Sequence, residues 1–332
     1  MNTVLETKLI LPRGKIVARL LLDNIVWIIL VLCVVAFSSS IPGYFRLINY
    51  INILTNATFI GILAIAEAYC LISGNLDLSI ESVAGFSAIL AAWLSARSLG
   101  SSGLNLNPYL TLVLCLLAGI TVGYINSFFI LRFKINSFLV TLSTYIIVRG
   151  LAISLTGGLG LSQIPASFRL VHTIQFFNIS LIPIIMVILY VFFYFLLVDT
   201  RFGKHIFIIG GNIGAAYNFG VNVNRIVTSV FMLSGLLAAL SGWLMTAKAN
   251  GASPTMANGY LFETLAAIVL GGVSLQGGIG SLTGVFAGVL VLSSIRSALN
   301  IMSVSPFITE VIRGCLVLFA ILIDSIKRKF YK

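Results

Sequence analysis

The chain has 332 residues, of which 59% are apolar and only 9% are charged. Soluble domains carry about 25% charged residues, so this composition excludes a soluble globular protein, and its hydrophobicity excludes intrinsic disorder. The formal net charge of +11 therefore has to be explained by where the basic residues lie along the chain.

Ten apolar segments are near the length that crosses a bilayer core of about 30 Å, and they predict an all-α polytopic membrane protein. In chain order they are 22–41, 51–72, 83–96, 109–131, 137–155, 181–198, 226–247, 261–275, 282–301 and 307–323. The third and the eighth are short and flanked by glycine, which predicts that they are tilted, broken or re-entrant. Because only loops and tails remain, residues 1–332 are expected to form a single transmembrane domain.

The basic residues separate by side of the membrane once the amino terminus is placed inside. Thirteen of the 20 Lys and Arg residues then lie on the inner side, in the tails 1–21 and 324–332 and in the inner loops. This excess is the positive-inside pattern, and it predicts that both termini are cytoplasmic. It also places the longest inner loop, 199–225, in the cytoplasm and removes the reason to expect a nucleic-acid partner.

Glycines recur every four residues in two places, at Gly119 and Gly123 and again at Gly280, Gly284 and Gly288. This spacing puts bare backbone on one helix face and predicts close helix packing, with a gating pivot as the alternative. A further group of glycines within 271–280 predicts a sharp, non-helical connection near the inner membrane face. The segment 73–82 occupies the matching place between the second and third spans.

Two acidic residues of that segment, Asp77 and Glu81, lie four residues apart and would share a face if the stretch is helical. One interpretation places them beside a solute pathway or a gate. The other has them capping the third helix near water, with Asp77 or Ser79 as the N-cap.

A few charged residues lie deep in the predicted spans, where an ionised group is costly and tends to pair or to face a wet cavity. They are Glu67, Arg149, Glu263 and Arg296. Glu310 and Arg313 are three residues apart, and they are expected to form a local pair on one helix.

The inner loop 199–225 contains a short predicted helix. Asn212 is a good N-cap and Gly220 a good carboxyl-terminal stop, so together they bracket a helix of about two turns. A helix so short does not hold alone in water, and it must dock on the membrane domain or on a soluble partner. The small residues Ala215 and Ala216, with Tyr217 beside them, suit insertion into a groove.

Four sequence blocks can be compared with those of known families. One is the loop Gly210-Gly211-Asn212-x-x-Ala215-Ala216-x-x-x-Gly220-Val221; the others are 74–80 (GNLDLSI), 141–144 (TLST) with 149–152 (RGLA), and 270–281 (LGGVSLQGGIGS). The loop resembles the coupling loop of ribose-type ABC importer permeases, the membrane subunits that serve uptake of ribose, other sugars and quorum-sensing autoinducers. The other blocks resemble that family's G-x-(I/L)-D-L-S-V block, its T-L-G-T and R-G-L-A block, and its L-G-G-(T/V)-S-L-x-G-G-x-G-S block.

The resemblance implies a permease of an ABC importer in the bacterial cytoplasmic membrane, and it implies roles for particular residues. Those expected to couple to the ATPase are Gly211, Asn212, Ala215, Ala216, Tyr217 and Gly220. Those expected at the pathway or gate are Asn75, Asp77, Ser79, Glu81, Thr144 and Arg149. Two positions depart from the family pattern: Glu81 replaces the usual glycine, and Ile213-Gly214 replaces the usual acidic start of the coupling helix.

The resemblance also implies several partners for the chain. A dimeric ATPase subunit would bind ATP and magnesium, because the chain has no G-x-x-x-x-G-K-[ST] motif of its own. A second permease copy or a paralogue would complete the pathway, and an extracytoplasmic binding protein would deliver a sugar, a polyol or a sugar-like signal.

Other classes of membrane protein are less compatible with the sequence. An ion-coupled secondary transporter is the main alternative, with Glu67 and Glu263 as its candidate carboxylates. A membrane-embedded enzyme would need a nucleophile with its base, or a metal cluster, and two isolated histidines offer neither. No catalytic residue, metal ligand or cofactor site is expected in this chain.

Overall fold

The structure is a computed structural model, and it describes residues 24–98 and 100–331. Apart from one short β-hairpin, the regular elements of these residues are helical. The helices, in chain order, are α1 (Ile25–Ser40), α2 (Leu47–Ile72), α3 (Ile80–Ser95), α4 (Pro108–Phe133), α5 (Ser137–Thr156), α6 (Leu170–Thr173), α7 (Leu181–Val198), α8 (Arg201–Gly211), α9 (Ile213–Asn218), α10 (Val223–Ala249), α11 (Tyr260–Leu270), α12 (Leu282–Ile301) and α13 (Pro306–Tyr331). A 3₁₀ turn (Ala166–Arg169) precedes α6, and β1 (Gln175–Phe176) pairs antiparallel with β2 (Ile179–Ser180) before α7.

The all-α polytopic class predicted from composition is confirmed. Among the described residues, α2, α4, α5, α7, α10 and α12 are long and apolar enough to cross a membrane, and α1, α3 and α11 are shorter apolar helices. The number of ten spans stays a prediction. The eighth predicted span was too long, since α11 ends at Leu270, where Gly271 and Gly272 turn the chain, the latter with φ of +89°.

Helix α2 lies at the centre of the molecule and is buried over most of its length, with α7, α10, α11 and α12 packed around it. The predicted close packing at glycine is confirmed. A Cβ atom at Gly119 of α4 would lie 2.2 Å from the carbonyl oxygen of Gly235 in α10. On α12, Gly284 and Gly288 allow the same approach to α11, whereas Gly280 precedes the helix.

Helices α3 and α11 are short because each begins inside the helix bundle. The connection from α2 to α3 turns back along α2, which brings the N–H of Asp77 within 3.3 Å of the carboxylate of Glu67. Helix α11 begins beside the start of α3, where the N–H of Leu261 donates to Glu81. Two helix amino termini therefore meet in the interior of the protein.

The inner loop contains two helices where one was predicted. The predicted short helix is present as α9, with the Asn212 side chain accepting a hydrogen bond from the N–H of Ala215. Helix α8 was not predicted. It begins after Thr200, whose hydroxyl accepts a hydrogen bond from the N–H of Gly203, and it buries Ile206 and Ile209 against the membrane domain.

Candidate functional site

A carboxylate, a guanidinium and a phenol meet where α3, α5 and α11 come together. Glu81, in the first turn of α3, accepts hydrogen bonds from the hydroxyl of Tyr145 at 3.2 Å and from the N–H of Leu261 at 2.9 Å. Arg149 donates to the Tyr145 oxygen at 2.6 Å, and its Nη1 lies 3.8 Å from Glu81 Oε1. These groups form the Glu81 cluster. Because both helix amino termini carry partial positive charge, they favour a carboxylate at this point.

Arg149 is only partly covered by the rest of the chain. Its side chain is 35% exposed, although it lies within α5, one of the helices long enough to cross a membrane. It borders a small cleft whose walls also carry Ser82 and Asn258. A guanidinium cannot face lipid at low cost, so the exposed part of Arg149 has to meet water or another protein surface.

A second set of polar side chains forms a buried chain of hydrogen bonds next to the Glu81 cluster. Asp77 accepts bonds from the N–H and the hydroxyl of Ser79 at 3.0 and 2.5 Å, and from the hydroxyl of Ser234 in α10 at 2.7 Å. The Ser79 hydroxyl accepts from Asn126 of α4 at 3.0 Å, and Asn126 accepts from Thr144 of α5 at 2.6 Å. The chain thereby joins the α2–α3 connection to three helices.

The condition under which Asp77 and Glu81 would share a helical face is not met. Asp77 lies before α3 and bonds to α10, whereas Glu81 faces α5 and α11. The alternative of a cap near water also fails, because Asp77 and Ser79 are each only 1% exposed. Ser79 does occupy the N-cap position of α3, but its side chain makes no capping hydrogen bond there.

The structure brings five of the six predicted pathway residues into these two adjoining groups. The sixth, Asn75, is half-buried; its side-chain amide donates to Ser73, and its N–H donates to the carbonyl of Cys70 at 2.9 Å. Sequence reasoning missed Tyr145, which lies four residues before Arg149, so that helical spacing alone could have placed both on one face. No sequence pattern could have identified the N–H of Leu261, because nearly every residue has a backbone N–H.

A second ion cluster ties α11, α12 and α13 together. Glu263 accepts from Arg296 at 3.2 Å and lies 2.5 Å from Nε of Arg313, and Arg313 also bonds to Glu310 at 2.5 Å. The predicted local pair of Glu310 and Arg313 is thus confirmed within a larger group, which we name the Glu263 cluster. Arg296 also lies over the ring of Tyr260, 5.3 Å from its centre.

The inner end of the molecule presents α9 to its surroundings. Gly220 follows the helix with φ of +70°, as expected of a stop, and Ile213, Tyr217 and Phe219 are exposed. Ala216 was predicted to face a partner together with Ala215, but it is buried against the membrane domain. Because Ala216 is small, α9 packs closely against the membrane domain of the same chain. The larger exposed residues Ile213, Tyr217 and Phe219 therefore form its outer face.

Comparison with known proteins agrees with this architecture. A family model described as "Branched-chain amino acid transport system / permease component" matches residues 49–321. The ribose import permease protein RbsC of Bacillus subtilis is 32% identical over 300 residues, covering 90% of this chain and 91% of its own. The L-arabinose ABC transporter permease protein AraH of Azospirillum brasilense is 33% identical over 320 residues, covering 95% and 91%. No solved structure matches.

The fold and these relatives define a multi-pass permease subunit of the bacterial inner membrane, and not an enzyme in its own right. The chain belongs to the ribose-type family of ABC importer permeases. As a member of this family, it provides the translocation pathway of an importer that works with an ATPase and a substrate-binding protein.

Proposed function

We propose that the chain imports a sugar or a closely related polar solute, and that the Glu81 cluster lies on the route of that solute. The named relatives import ribose and L-arabinose. The cluster and the cleft beside it offer a carboxylate, a guanidinium, a phenol and an amide, which suit hydroxyl groups as donors and acceptors.

The partly exposed guanidinium of Arg149 is the observation that carries this proposal. Only water or a polar partner stabilises such a group at membrane depth. The neighbouring faces of α4 and α5 expose large apolar side chains, among them Tyr124, Ile146 and Ile147. We infer that a second permease, identical or paralogous, packs beside this region, so that the polar edge of α5 faces a water-filled route between the two subunits.

Uptake by the assembled importer tests the proposal. Vesicles that contain the chain, its ATPase and its binding protein are expected to accumulate labelled D-ribose or L-arabinose when ATP is supplied. Accumulation should continue when an uncoupler dissipates the proton gradient while ATP stays high. Loss of uptake under those conditions would instead support the ion-coupled alternative, as would uptake without ATP.

The carboxylates that an ion-coupled mechanism would use are already engaged. Glu67 accepts the N–H of Asp77, and Glu263 is held by both Arg296 and Arg313. A carboxylate held by two guanidinium groups is not free to change partners, because separating these charges in a medium of low polarity is costly. The arrangement of Glu263 therefore favours a structural role over that of a proton relay.

We further infer that α9 is the surface that docks on the ATPase, which binds ATP and magnesium in place of this chain. Tyr217 is 59% exposed and Phe219 is 77% exposed, and both lie in the loop predicted to be cytoplasmic. Exposed aromatic side chains on a short, capped helix are suited to insertion into a groove of a partner. Asn212, Gly211 and Gly220 shape the helix ends, and Ala216 fastens it to the membrane domain.

A pair of matched alanine variants tests this docking surface. Tyr217→Ala is expected to reduce recovery of the ATPase with the purified permease by about tenfold, since a buried interface tyrosine contributes about 1–2 kcal/mol or more. Phe177→Ala serves as the control, because Phe177 is 93% exposed in the β-hairpin of the loop predicted to lie outside. Equal recovery from both variants would contradict docking through α9.

A further inference from the structure

Three segments of backbone meet at the inner end of the molecule with glycine at each contact. They are the end of α8, the connection from α2 to α3, and the connection from α11 to α12. A Cβ atom at Gly210 would lie 1.8 Å from the carbonyl oxygen of Ile72 and 2.6 Å from the backbone nitrogen of Gly278. A Cβ atom at Gly277 would lie 2.8 Å from Cα of Gly74 and 2.9 Å from the oxygen of Gly210.

We name this contact the glycine junction and define it by the residues Gly74, Gly210, Gly277 and Gly278. Its segments are in direct backbone contact, and the N–H of Gly278 donates to the carbonyl of Ile72 at 2.9 Å. Gly74, Gly277 and Gly278 have φ of +79°, +86° and +73°, which L-residues with side chains rarely adopt. With no side chain between them, the segments have little room to move independently.

One end of the glycine junction leads directly to the proposed docking helix. Gly211 follows Gly210 and ends α8, and the next residue, Asn212, caps α9. The N–H of Asn212 also bonds to the carbonyl of Ile208, which continues the α8 hydrogen-bond pattern up to the cap. A displacement of α9 is therefore passed to Gly210 over two residues of ordered backbone.

The other end of the glycine junction leads to the proposed route of the solute. Beyond Gly74, the N–H of Leu76 bonds to the hydroxyl of Ser137 at 3.2 Å, and that of Leu78 bonds to Thr141 at 3.1 Å. Both hydroxyls belong to α5, the helix that carries Tyr145 and Arg149. The same connection ends at α3, whose first turn holds Glu81.

We propose that Gly210, Gly277 and Gly278 are positioning residues that make α8, α9 and the two connections move as one body, so that ATPase motion reaches the Glu81 cluster. This inference rests on the proposed docking of the ATPase at α9. It assigns the junction a part in transport that differs from close packing elsewhere, because the glycines of α4 and α12 join helix to helix within the membrane domain.

A side chain at the junction separates transport from hydrolysis if this assignment holds. Gly210→Ala is expected to keep the ATPase bound and hydrolysing ATP, while uptake of labelled ribose or arabinose falls at least tenfold. The control is Gly314→Ala in α13, where a Cβ atom meets no other described atom within 4 Å. Parallel loss of ATPase binding, hydrolysis and uptake, or unchanged uptake, would overturn the inference.

A distance measurement on the unaltered glycines covers the case in which Gly210→Ala does not fold. Spin labels on the exposed residues Lys204 of α8 and Gln276 of the second connection report whether the two segments move together. Their separation should stay constant between the ATP-free and the vanadate-trapped importer, while the separation of Lys204 from Phe177 changes. A change between Lys204 and Gln276 would contradict the inference. Failure of the wild-type chain to recover any ATPase would instead overturn the docking proposal, and this inference with it.

Discussion

Both ion clusters of this protein pair glutamate with arginine, but their geometry differs. In the Glu263 cluster, one carboxylate is held by two arginines at 2.5 and 3.2 Å, and a second carboxylate completes the charge balance. In the Glu81 cluster, the carboxylate and Arg149 are 3.8 Å apart with a tyrosine hydroxyl between them. The side chain of Arg149 is 35% exposed, against 17% for that of Arg313.

The difference shows how a membrane protein can use charge in two ways. A tight, neutral group locks helices together, because separating any partner leaves an uncompensated charge in a medium of low polarity. A looser pair that is partly open to its surroundings can exchange one partner for water or solute at lower cost. On this basis, we infer that the Glu263 cluster holds α11, α12 and α13 together, and that the Glu81 cluster rearranges during transport.

The largest expected effect comes from removing the central charge of the Glu263 cluster. Glu263→Gln leaves Arg296 and Arg313 facing a neutral amide, so we expect the stability to fall by about 3–5 kcal/mol. The thermal unfolding midpoint of the purified chain measures this loss. Glu310→Gln is the matched control, because its side chain is 65% exposed and such pairs contribute about 0–1 kcal/mol. Similar midpoints for both variants would show that the Glu263 cluster is not a lock.

The corresponding substitution in the Glu81 cluster should affect transport and leave stability nearly unchanged. Glu81→Gln keeps an acceptor for the N–H of Leu261 but removes the charge that faces Arg149. We expect uptake of ribose or arabinose to change by about tenfold, which corresponds to about 1.4 kcal/mol in the barrier. An unfolding midpoint lowered as far as that of Glu263→Gln would remove the distinction between the clusters.

A smaller effect is expected when the hydroxyl between the two charges is removed. Tyr145→Phe removes the hydroxyl that donates to Glu81 and accepts from Arg149, while the ring stays in place. Because Arg149 and Glu81 can still interact directly across 3.8 Å, we expect a net loss of about one hydrogen bond, or about 1 kcal/mol, so uptake should change by roughly fivefold. Tyr109→Phe, at the exposed start of α4, is the control and should transport as the wild type does.

How much of this could be predicted from the sequence depends on how local each feature is. Asn212 and Gly220 act on their own turns, so α9 was predicted at its correct place. The pair of Glu310 and Arg313 could be predicted from helical spacing alone, because both residues lie on the same helix three positions apart. The packing of Gly119 also follows from a local pattern, because a four-residue spacing places glycine on one face.

Features that depend on distant contacts were missed or misplaced. Ala216 was assigned to a partner because nothing in the loop shows that α8 folds back and buries it. The bond from Leu261 to Glu81 joins residues 180 positions apart, and the network of Asp77 includes Ser234 at a separation of 157. Single serines in apolar spans carry no pattern that distinguishes a network member from a packing residue.

The water accessibility of residue 149 tests most directly the claim that the edge of α5 faces a solute route. Arg149→Cys and Ile147→Cys, each in a background without the four native cysteines, can be treated with a membrane-impermeant, charged thiol reagent. We expect the cysteine at 149 to react at least tenfold faster than that at 147, which lies on the apolar face of the same helix. Trapping the ATPase with vanadate should change the reaction rate at 149. Equal reactivity at the two positions, or an unreactive cysteine at 149 in every state of the importer, would contradict the claim.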